Sequence, residues 1–222
     1  MVADPSLVDP LPEIIPVFPL GGVLLLPRGR MPLNIFEPRY VAMIDDALGA
    51  PHRVVGMIQP LDEGRAGQPP ALYPIGCLGK ITSFSENDDG RYRYLVTLTG
   101  VSRFTVKEEL EGRRGYRRMR VDHSPWQGDL DVQQLENLNR PKLLSTLKRY
   151  FAANDISADW KTIAETSDDR LITTLCMVCP FSANEKQALL EARDPSARAT
   201  TLMTLMEMAT LDRSNGDEQP KH

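Results

Sequence analysis

Apolar residues follow two different patterns along this chain, and the pattern changes near residue 124. Before that point the apolar runs are short, aliphatic and separated by proline or glycine, which is typical of β-strands. Residues 75–121 carry the clearest β pattern, including a hairpin turn predicted at 87–90 by its Asp-Gly. The predicted strands lie at 14–18, 23–26, 31–35, 54–58, 81–85, 92–99, 104–106 and 116–121, and the charged segment 107–114 is predicted as a turn.

One helix is predicted within this β-rich part. Residues 39–48 place apolar side chains at helical spacing, Pro38 suits a first helical turn, and Gly49 suits a C-terminal stop. This series of short strands with a single inserted helix indicates a barrel or a strongly curved sheet.

After Ser124-Pro125 the apolar period becomes that of α-helices. We expect a long helix from 135 to 151 that is bent or restarted at Pro141, and a second between Thr166 and Pro180. A third follows a Ser182/Glu185 capping box, and a last one, capped by Ser196, runs to about 211. The fold class is therefore α+β. We divide the chain into a flexible leader 1–13, a β-rich subdomain 14–124, a helical subdomain 125–211 and a disordered tail 212–222.

Composition narrows the class of protein. The 222 residues carry a net charge of −4, which argues against a protein that coats nucleic acid through its overall field. The longest aliphatic run, 23–26, is far too short to cross a bilayer, so no membrane partner is expected. The first thirteen residues hold no lysine or arginine, and three cysteines fit no disulfide framework. A cytoplasmic location with reduced thiols is the expectation.

The common catalytic motifs are absent from the sequence. Gly79-Lys80 lacks the remaining residues of a phosphate-binding loop, the three histidines are dispersed, and no Gly-x-Ser-x-Gly elbow occurs. We therefore predict no catalytic residues, no metal and no cofactor. Cys176 and Cys179 have the spacing of a redox pair or half a zinc site, but they fall near the end of an apolar helix, where buried core thiols are the preferred interpretation.

An arginine-rich stripe is the densest charge feature. Five arginines lie between 113 and 120, and on a strand Tyr116, Arg118 and Arg120 share one face, with Arg117 beside them. Such a stripe could contact phosphates while the ring stacks on a base. The alternative is a solvated strand that faces the glutamates at 108, 109 and 111.

Several short motifs occur in order between Ile14 and Leu211. They are 16–20, 26–27, 32–40, 43–44, 76–81, 89–92, 98–104 and 185–191, with Pro-Leu-Asn-Ile-Phe-Glu-Pro-Arg-Tyr at 32–40 the most specific. Together they resemble the Lon N-terminal domain family, the substrate-binding region of Lon proteases. The resemblance implies a PUA-like β-rich first part followed by an α-helical bundle.

The resemblance also implies a function. Lon proteases carry ATPase and Ser-Lys peptidase modules after this region, and the present sequence holds neither, so we expect a non-catalytic protein. The leading hypothesis is a polypeptide-recognition module, an adaptor in protein quality control. Its expected partners are an unfolded or a specific polypeptide and a Lon-type protease in trans. RNA binding is the alternative, because PUA-like folds include RNA readers.

Candidate residues for these roles can be named from the sequence. Within the family motif, Phe36 and Tyr40 are expected in the core, while Glu37 and Arg39 are expected to fasten strand to helix. Methionine-rich surfaces adapt to varied apolar partners, so the last helix is a second candidate surface. The residues predicted to bind a partner are Tyr116, Arg117, Arg118, Arg120, Met203 and Met206.

Overall fold

The computed structural model describes residues 10–62, 64, 69–87, 93–131, 135 and 138–216, with side chains as far as 211. Within these ranges it contains six strands and seven helices, an α+β fold. The strands are β1 Ile14–Pro19, β2 Arg30–Ile35, β3 Val54–Ile58, β4 Ile75–Glu86, β5 Tyr94–Arg113 and β6 Tyr116–Asp122. The helices are α1 Pro38–Gly49, a 3₁₀ helix Ser124–Asp129, α2 Arg140–Ala153, α3 Trp160–Glu165, α4 Asp168–Val178, α5 Ala183–Glu191 and α6 Pro195–Gly216.

The chain forms two compact units, whose bounds differ from the division at 124/125. The first contains residues up to 133 together with 181–190, and the second contains 134–180 and the residues from 191 onward. Segment 181–190 lies in the first unit because α5 is held there by polar contacts. The Gln59 amide donates to the Ala183 carbonyl at 3.0 Å, and the Lys186 ammonium donates to the Gly22 carbonyl at 2.8 Å.

The six strands form one strongly curved sheet that returns on itself. The order is β2-β5-β4-β3-β1-β6, and β6 also pairs with β5. The first half of β5 lies between β2 and β4, whereas its second half pairs with β6. Only β1 and β3 run parallel among these pairs. The expected curved sheet with one inserted helix is confirmed, since α1 lies between β2 and β3.

The inside of this curve is filled by aliphatic side chains around one aromatic ring. Phe104 is fully buried, and a Cβ placed on Gly76 would lie 2.4 Å from its ring. A Cβ on Gly100 would lie 2.0 Å from the Leu26 carbonyl oxygen, so glycine is required there too. The remaining members of this core are Ile15, Val17, Val54, Ile58, Leu78, Val101, Met119 and Val121.

Two β predictions are wrong. Residues 23–26 form no strand, although Leu24, Leu25 and Leu26 are buried. The charged segment 107–114 is not a turn, because β5 continues to Arg113 and pairs with β6, with register irregularities on the way. The turn is instead formed by Arg114 and Gly115, which both have positive φ. Charge patterning alone does not distinguish an exposed strand from a loop.

The helical pattern is largely reproduced. The capping box is confirmed, because the Ser182 amide donates to the Glu185 carboxylate at 2.7 Å. The last helix begins at Pro195, two residues earlier than a cap at Ser196 predicts, and its first turn is capped by Asp194, which accepts from the Ala197 amide at 2.7 Å. Helix α3 was not expected. The turn residues 88–90, leader residues 1–9 and tail residues 217–222 lie outside the described residues. Residues 212–216, predicted as part of the disordered tail, continue helix α6 instead.

A buried ion pair joins the sheet to the 3₁₀ helix and to α5. The Arg103 guanidinium donates to both carboxylate oxygens of Asp129, at 2.8 and 2.9 Å, and to the Leu190 carbonyl at 3.1 Å. It also lies 4.0 Å from the centre of the Trp126 ring. Both charged side chains are almost fully buried, so each depends on the other for its hydrogen bonds.

We therefore expect Asp129→Ala to destabilise the first unit by about 3–5 kcal/mol, because it leaves the Arg103 charge buried without its carboxylate. Urea unfolding followed by tryptophan fluorescence would measure this loss. Glu108→Ala, which removes a carboxylate from an exposed pair with Arg120, is the control and should cost far less. Equal losses for the two variants would contradict the anchoring role of the buried pair.

Candidate functional site

Three strands of the first unit extend together into a ribbon. Over Tyr94–Thr99, β5 pairs with β2 on one side and with the end of β4 on the other. A bulge in β4 between Ile81 and Ser83 marks where the ribbon departs from the closed part of the sheet. From Thr82 to Glu86 every residue of β4 is exposed.

Exposed apolar side chains lie at the end of this ribbon. Phe36 follows the Ile35–Tyr94 pair and is 65% exposed, while Phe84 and Leu95 are 36% and 38% exposed. Phe84 pairs with Val96 and Leu95 with Ser85, so these two side chains are on opposite faces of the ribbon. We call Phe36 and Leu95 the ribbon surface. The centres of the Phe84 ring and the buried Tyr94 ring lie 4.8 Å apart, so contact with Tyr94 holds the Phe84 ring in its orientation. Such exposed apolar groups on one element mark interaction surfaces.

The family-motif residues therefore divide between surface and core. Phe36 is not a core residue as expected, because the chain turns from β2 into α1 at this position and leaves the ring in solvent. Tyr40 is buried against Phe18 with ring centres 4.1 Å apart. Glu37 and Arg39 form an exposed ion pair of 2.8 Å with each other, and the Arg39 guanidinium lies 4.6 Å from the Tyr40 ring centre.

The arginine stripe is matched by carboxylates within the unit. Arg117 donates to both oxygens of Glu109 at 2.6 and 2.7 Å, and Arg120 donates to Glu108 at 2.7 Å. Arg118 is half-buried on β6, where its register neighbours are Pro16 and Leu110. This geometry corresponds to the solvated strand facing its glutamates, the alternative to phosphate binding.

Tyr116 is occupied inside the fold. Its ring is buried, and its hydroxyl donates to the Asp46 carboxylate of α1 at 2.8 Å. Burial and the nearby Asp46 raise the pKa of Tyr116 to about 12. Burial would raise the pKa of Asp46, but hydrogen bonds from Tyr116 and Arg114 outweigh this effect and hold that pKa below its ordinary value. The ring is therefore unavailable for stacking on a base.

Met203 and Met206, the two predicted binding methionines of α6, are less exposed than a binding surface requires. Met206 is fully buried and Met203 is half-buried within the second unit. The exposed apolar residues of this helix are Met208 and Leu211 instead. The sequence could not separate these positions because the apolar residues of α6 do not lie on a single helical face.

The cysteine pair lies in the core of the second unit. Cys176 and Cys179 are both buried as reduced thiols. Burial raises the pKa of the Cys176 thiol to about 12, so the nucleophilic thiolate is not formed near neutral pH. Within the described ranges, no three histidine, cysteine or acidic side chains are grouped so that they could hold a metal ion.

A shallow cleft of about 460 Å³ lies beside β6 in the first unit. Its charged side chains pair with other groups of the unit: Lys107 with Asp122 at 2.9 Å, and Arg120 with Glu108 and Glu13. Both His123 ring nitrogens lie 3.2 Å from backbone carbonyl oxygens, of Arg103 and Pro12. The cleft thus offers no convergent set of polar groups for a cofactor.

None of the helices in the described ranges combines the length and apolarity needed to span a bilayer.

Comparison with known proteins gives one consistent result. Residues 14–208 match the family described as the ATP-dependent protease La (LON) substrate-binding domain. The chain is 27% identical over 207 residues to Lon protease 2 of Sorangium cellulosum, and 26% identical over 203 residues to the Lon protease of Syntrophus aciditrophicus. These alignments cover 89% and 87% of this chain, but the chain spans only 25% of either relative.

Two solved structures share the fold. A Lon N-terminal domain protein from Xanthomonas campestris superposes with a TM-score of 0.59 at 21% identity, covering 86% of this chain and 97% of that one. The N-terminal domain of a Mycobacterium avium complex Lon protease superposes with a TM-score of 0.61 at 16% identity, covering 87% and 98%. At this level of identity the likeness establishes the fold.

We expect Cys77, Cys176 and Cys179 to react with a thiol reagent only after unfolding. All three side chains are buried, and the Cys176 thiol stays protonated at neutral pH. Mass spectrometry after iodoacetamide treatment at pH 7.5, with and without urea, would measure the modification. Rapid alkylation of Cys176 or Cys179 in the folded protein would instead support the redox alternative.

We expect Asp46→Asn to lower the free energy of unfolding at pH 7 by about 1–2 kcal/mol, because charged hydrogen bonds from Tyr116 and Arg114 are lost. The folded pKa of Asp46 lies below its unfolded value. The contribution of the Asp46 carboxylate to the free energy of unfolding is therefore complete above about pH 4, and it is lost as the pH falls through the folded pKa. The wild-type and variant unfolding free energies should converge towards low pH in urea titrations.

The matched control is Glu111→Gln, an exposed acid in the β5–β6 hairpin. Its unfolding free energy should equal that of the wild type both at pH 7 and at low pH. A wild-type advantage over Asp46→Asn that stayed constant with pH would show that carboxylate ionisation is not what stabilises this contact.

Proposed function

Because this chain belongs to the ATP-dependent protease La (Lon) substrate-binding domain family, we propose that it is a non-catalytic polypeptide-recognition domain. The observation that carries the proposal is the ribbon surface. Phe36 and Leu95 expose apolar area at the end of one structural element, and this exposure to water costs free energy until a partner covers it.

The ribbon surface suits the chemistry of an unfolded polypeptide. Unfolded chains expose the apolar side chains that a folded protein hides, and apolar contact does not require one particular sequence. The neighbouring side chains of β4 are hydroxylic, and the nearby Glu37–Arg39 pair is neutral overall. The surface therefore has no large field of one sign that would select only acidic or basic segments.

The proposal includes a role as an adaptor for a Lon-type protease acting in trans. The chain spans about a quarter of the Lon proteases to which it is similar, and the matched region carries the substrate-binding description. An adaptor needs to hold a polypeptide without cutting it. A cytoplasmic location is part of the same proposal and agrees with three reduced cysteines.

RNA binding has no support from the geometry of the arginine stripe. In the described part of the chain, Arg117 and Arg120 are paired with glutamates, and Tyr116 is buried. No geometric observation therefore favours the nucleic-acid alternative.

The test is fluorescence anisotropy at near-physiological salt. The probe is a fluorescein-labelled carrier protein that reduction and carboxymethylation keep unfolded. We expect saturable binding with a Kd in the micromolar range, roughly 8 kcal/mol. The double variant Phe36→Ser/Leu95→Ser should weaken binding at least about tenfold, because two exposed apolar contacts are removed. The labelled polypeptide should remain intact on a denaturing gel after prolonged incubation.

Ile14→Ser is the matched control, because Ile14 is also an exposed aliphatic residue of the first unit but lies on β1 outside the ribbon. Its affinity should equal that of the wild type. Absence of binding by the wild-type protein would contradict the proposed function, and an equal loss in both variants would show that the ribbon surface is not the site.

A further inference from the structure

We propose that the outer edge of β4, from Thr82 to Glu86, takes up an extended polypeptide segment as an additional antiparallel strand. This inference rests on the proposed function and names its binding mode. Strand addition lets main-chain hydrogen bonds supply affinity while alternate side chains supply selectivity.

The edge is open because β3 begins only at Val54, opposite Lys80 of β4. The pairing of β3 with β4 stops at Val54 and Lys80. One further bond follows, in which the Ile81 amide donates to the Arg53 carbonyl at 2.8 Å. Arg53 has a positive φ of 52°, which turns the chain away from β4. Beyond this point, no strand in the described ranges pairs with this side of β4.

Beyond the bulge between Ile81 and Ser83, the open edge carries no proline and, before its last position, no charged side chain. Proteins guard exposed edges with proline, with charged side chains or with very short strands. The edge strand β2 shows such guarding, since it carries Arg30 and Pro32. The edge of β4 presents uncharged residues until its last position, in the order Thr82, Ser83, Phe84, Ser85 and Glu86. The same unit thus guards one edge and leaves the other available.

Phe84 lies at the centre of this edge and can serve as an anchor. Its ring is partly exposed and packs on Tyr94, whose hydroxyl donates to the Asp45 carboxylate at 2.8 Å. An aromatic ring held in this way packs well against a β-branched side chain on a neighbouring strand. The favoured occupant therefore has valine, threonine or isoleucine opposite Phe84.

Charges at the two ends define the orientation of the occupant. Exposed Arg53 lies at the Ile81 end of the edge, and exposed Glu86 lies at the other end. Both existing partners of β4 run antiparallel to it. An added antiparallel strand begins beside Glu86 and ends beside Arg53. The fitting segment is thus about six residues long, with a basic first residue, an uncharged β-prone centre and an acidic last residue.

The probe is the capped peptide acetyl-Lys-Val-Thr-Val-Thr-Glu-amide, added to the isotope-labelled full chain. At saturation we expect the edge-facing backbone amides between Thr82 and Glu86 to exchange at least about tenfold more slowly, because strand addition gives them new acceptors. The charge-exchanged peptide acetyl-Glu-Val-Thr-Val-Thr-Lys-amide has the same composition. It should bind about fivefold more weakly, since both terminal charges then face like charges.

Phe84→Ala should weaken binding of the first peptide by about fivefold, through loss of the cross-strand aromatic contact. Ser85→Lys, which introduces an edge charge without removing the ring, should weaken it to a similar extent. Ile14→Ala should leave the affinity unchanged. Circular dichroism of each variant would confirm that the fold is retained.

The possible outcomes separate the two proposals. In one outcome the carboxymethylated carrier protein binds the wild type and the Phe36→Ser/Leu95→Ser variant has lost this affinity, but the peptide protects no amide between 82 and 86. Strand addition is then wrong, and the proposed function stands. If neither ligand binds, both are wrong. If the same amides become protected without peptide as protein concentration rises, with a dimer in sedimentation, the edge belongs to a second copy, and peptide addition is overturned.

Discussion

The first unit depends on the length of a single strand. At 20 residues, β5 is long enough to pair with β2 and β4 over its first half and with β6 over its second. A strand shared in this way forces the sheet to curve back on itself. Close approach at Gly76 and Gly100 and the buried Phe104 ring accommodate that curvature. The ion pair between Arg103, on the same strand, and Asp129 then fixes the 3₁₀ helix against it.

The same arrangement creates the candidate site. β3 begins at Val54, opposite Lys80 of β4, so it does not reach the start of β5. There β2 and the last residues of β4 accompany β5 as a ribbon outside the closed part of the sheet. Residues there have neighbours on fewer sides than residues in the core. Phe36, Phe84 and Leu95 consequently remain exposed while keeping a rigid backbone beneath them. A binding surface on a rigid element loses less conformational entropy on association than a loop does.

Charge has a structural role along β6 and the β5–β6 turn. Arg117 and Arg120 of β6 and Arg114 of the β5–β6 turn are neutralised by Glu109, Glu108 and Asp46. These contacts secure the helix and the hairpin, and they reduce the dense positive charge that the linear sequence presents. The local density of one charge along a chain is therefore a poor guide to a surface field, because acids distant in sequence can lie opposite it.

The sequence by itself determined the α+β class, the positions of α1, β3 and the capping box before α5, and the family, because these depend on local periodicity, capping chemistry and motif order. Only the tertiary structure decided the burial of Met206 and Tyr116, the exposure of Phe36 and the docking of α5 on the first unit. Each of these depends on which distant segment covers a side chain. Periodicity reports that a residue is apolar, whereas long-range pairing determines whether anything covers it.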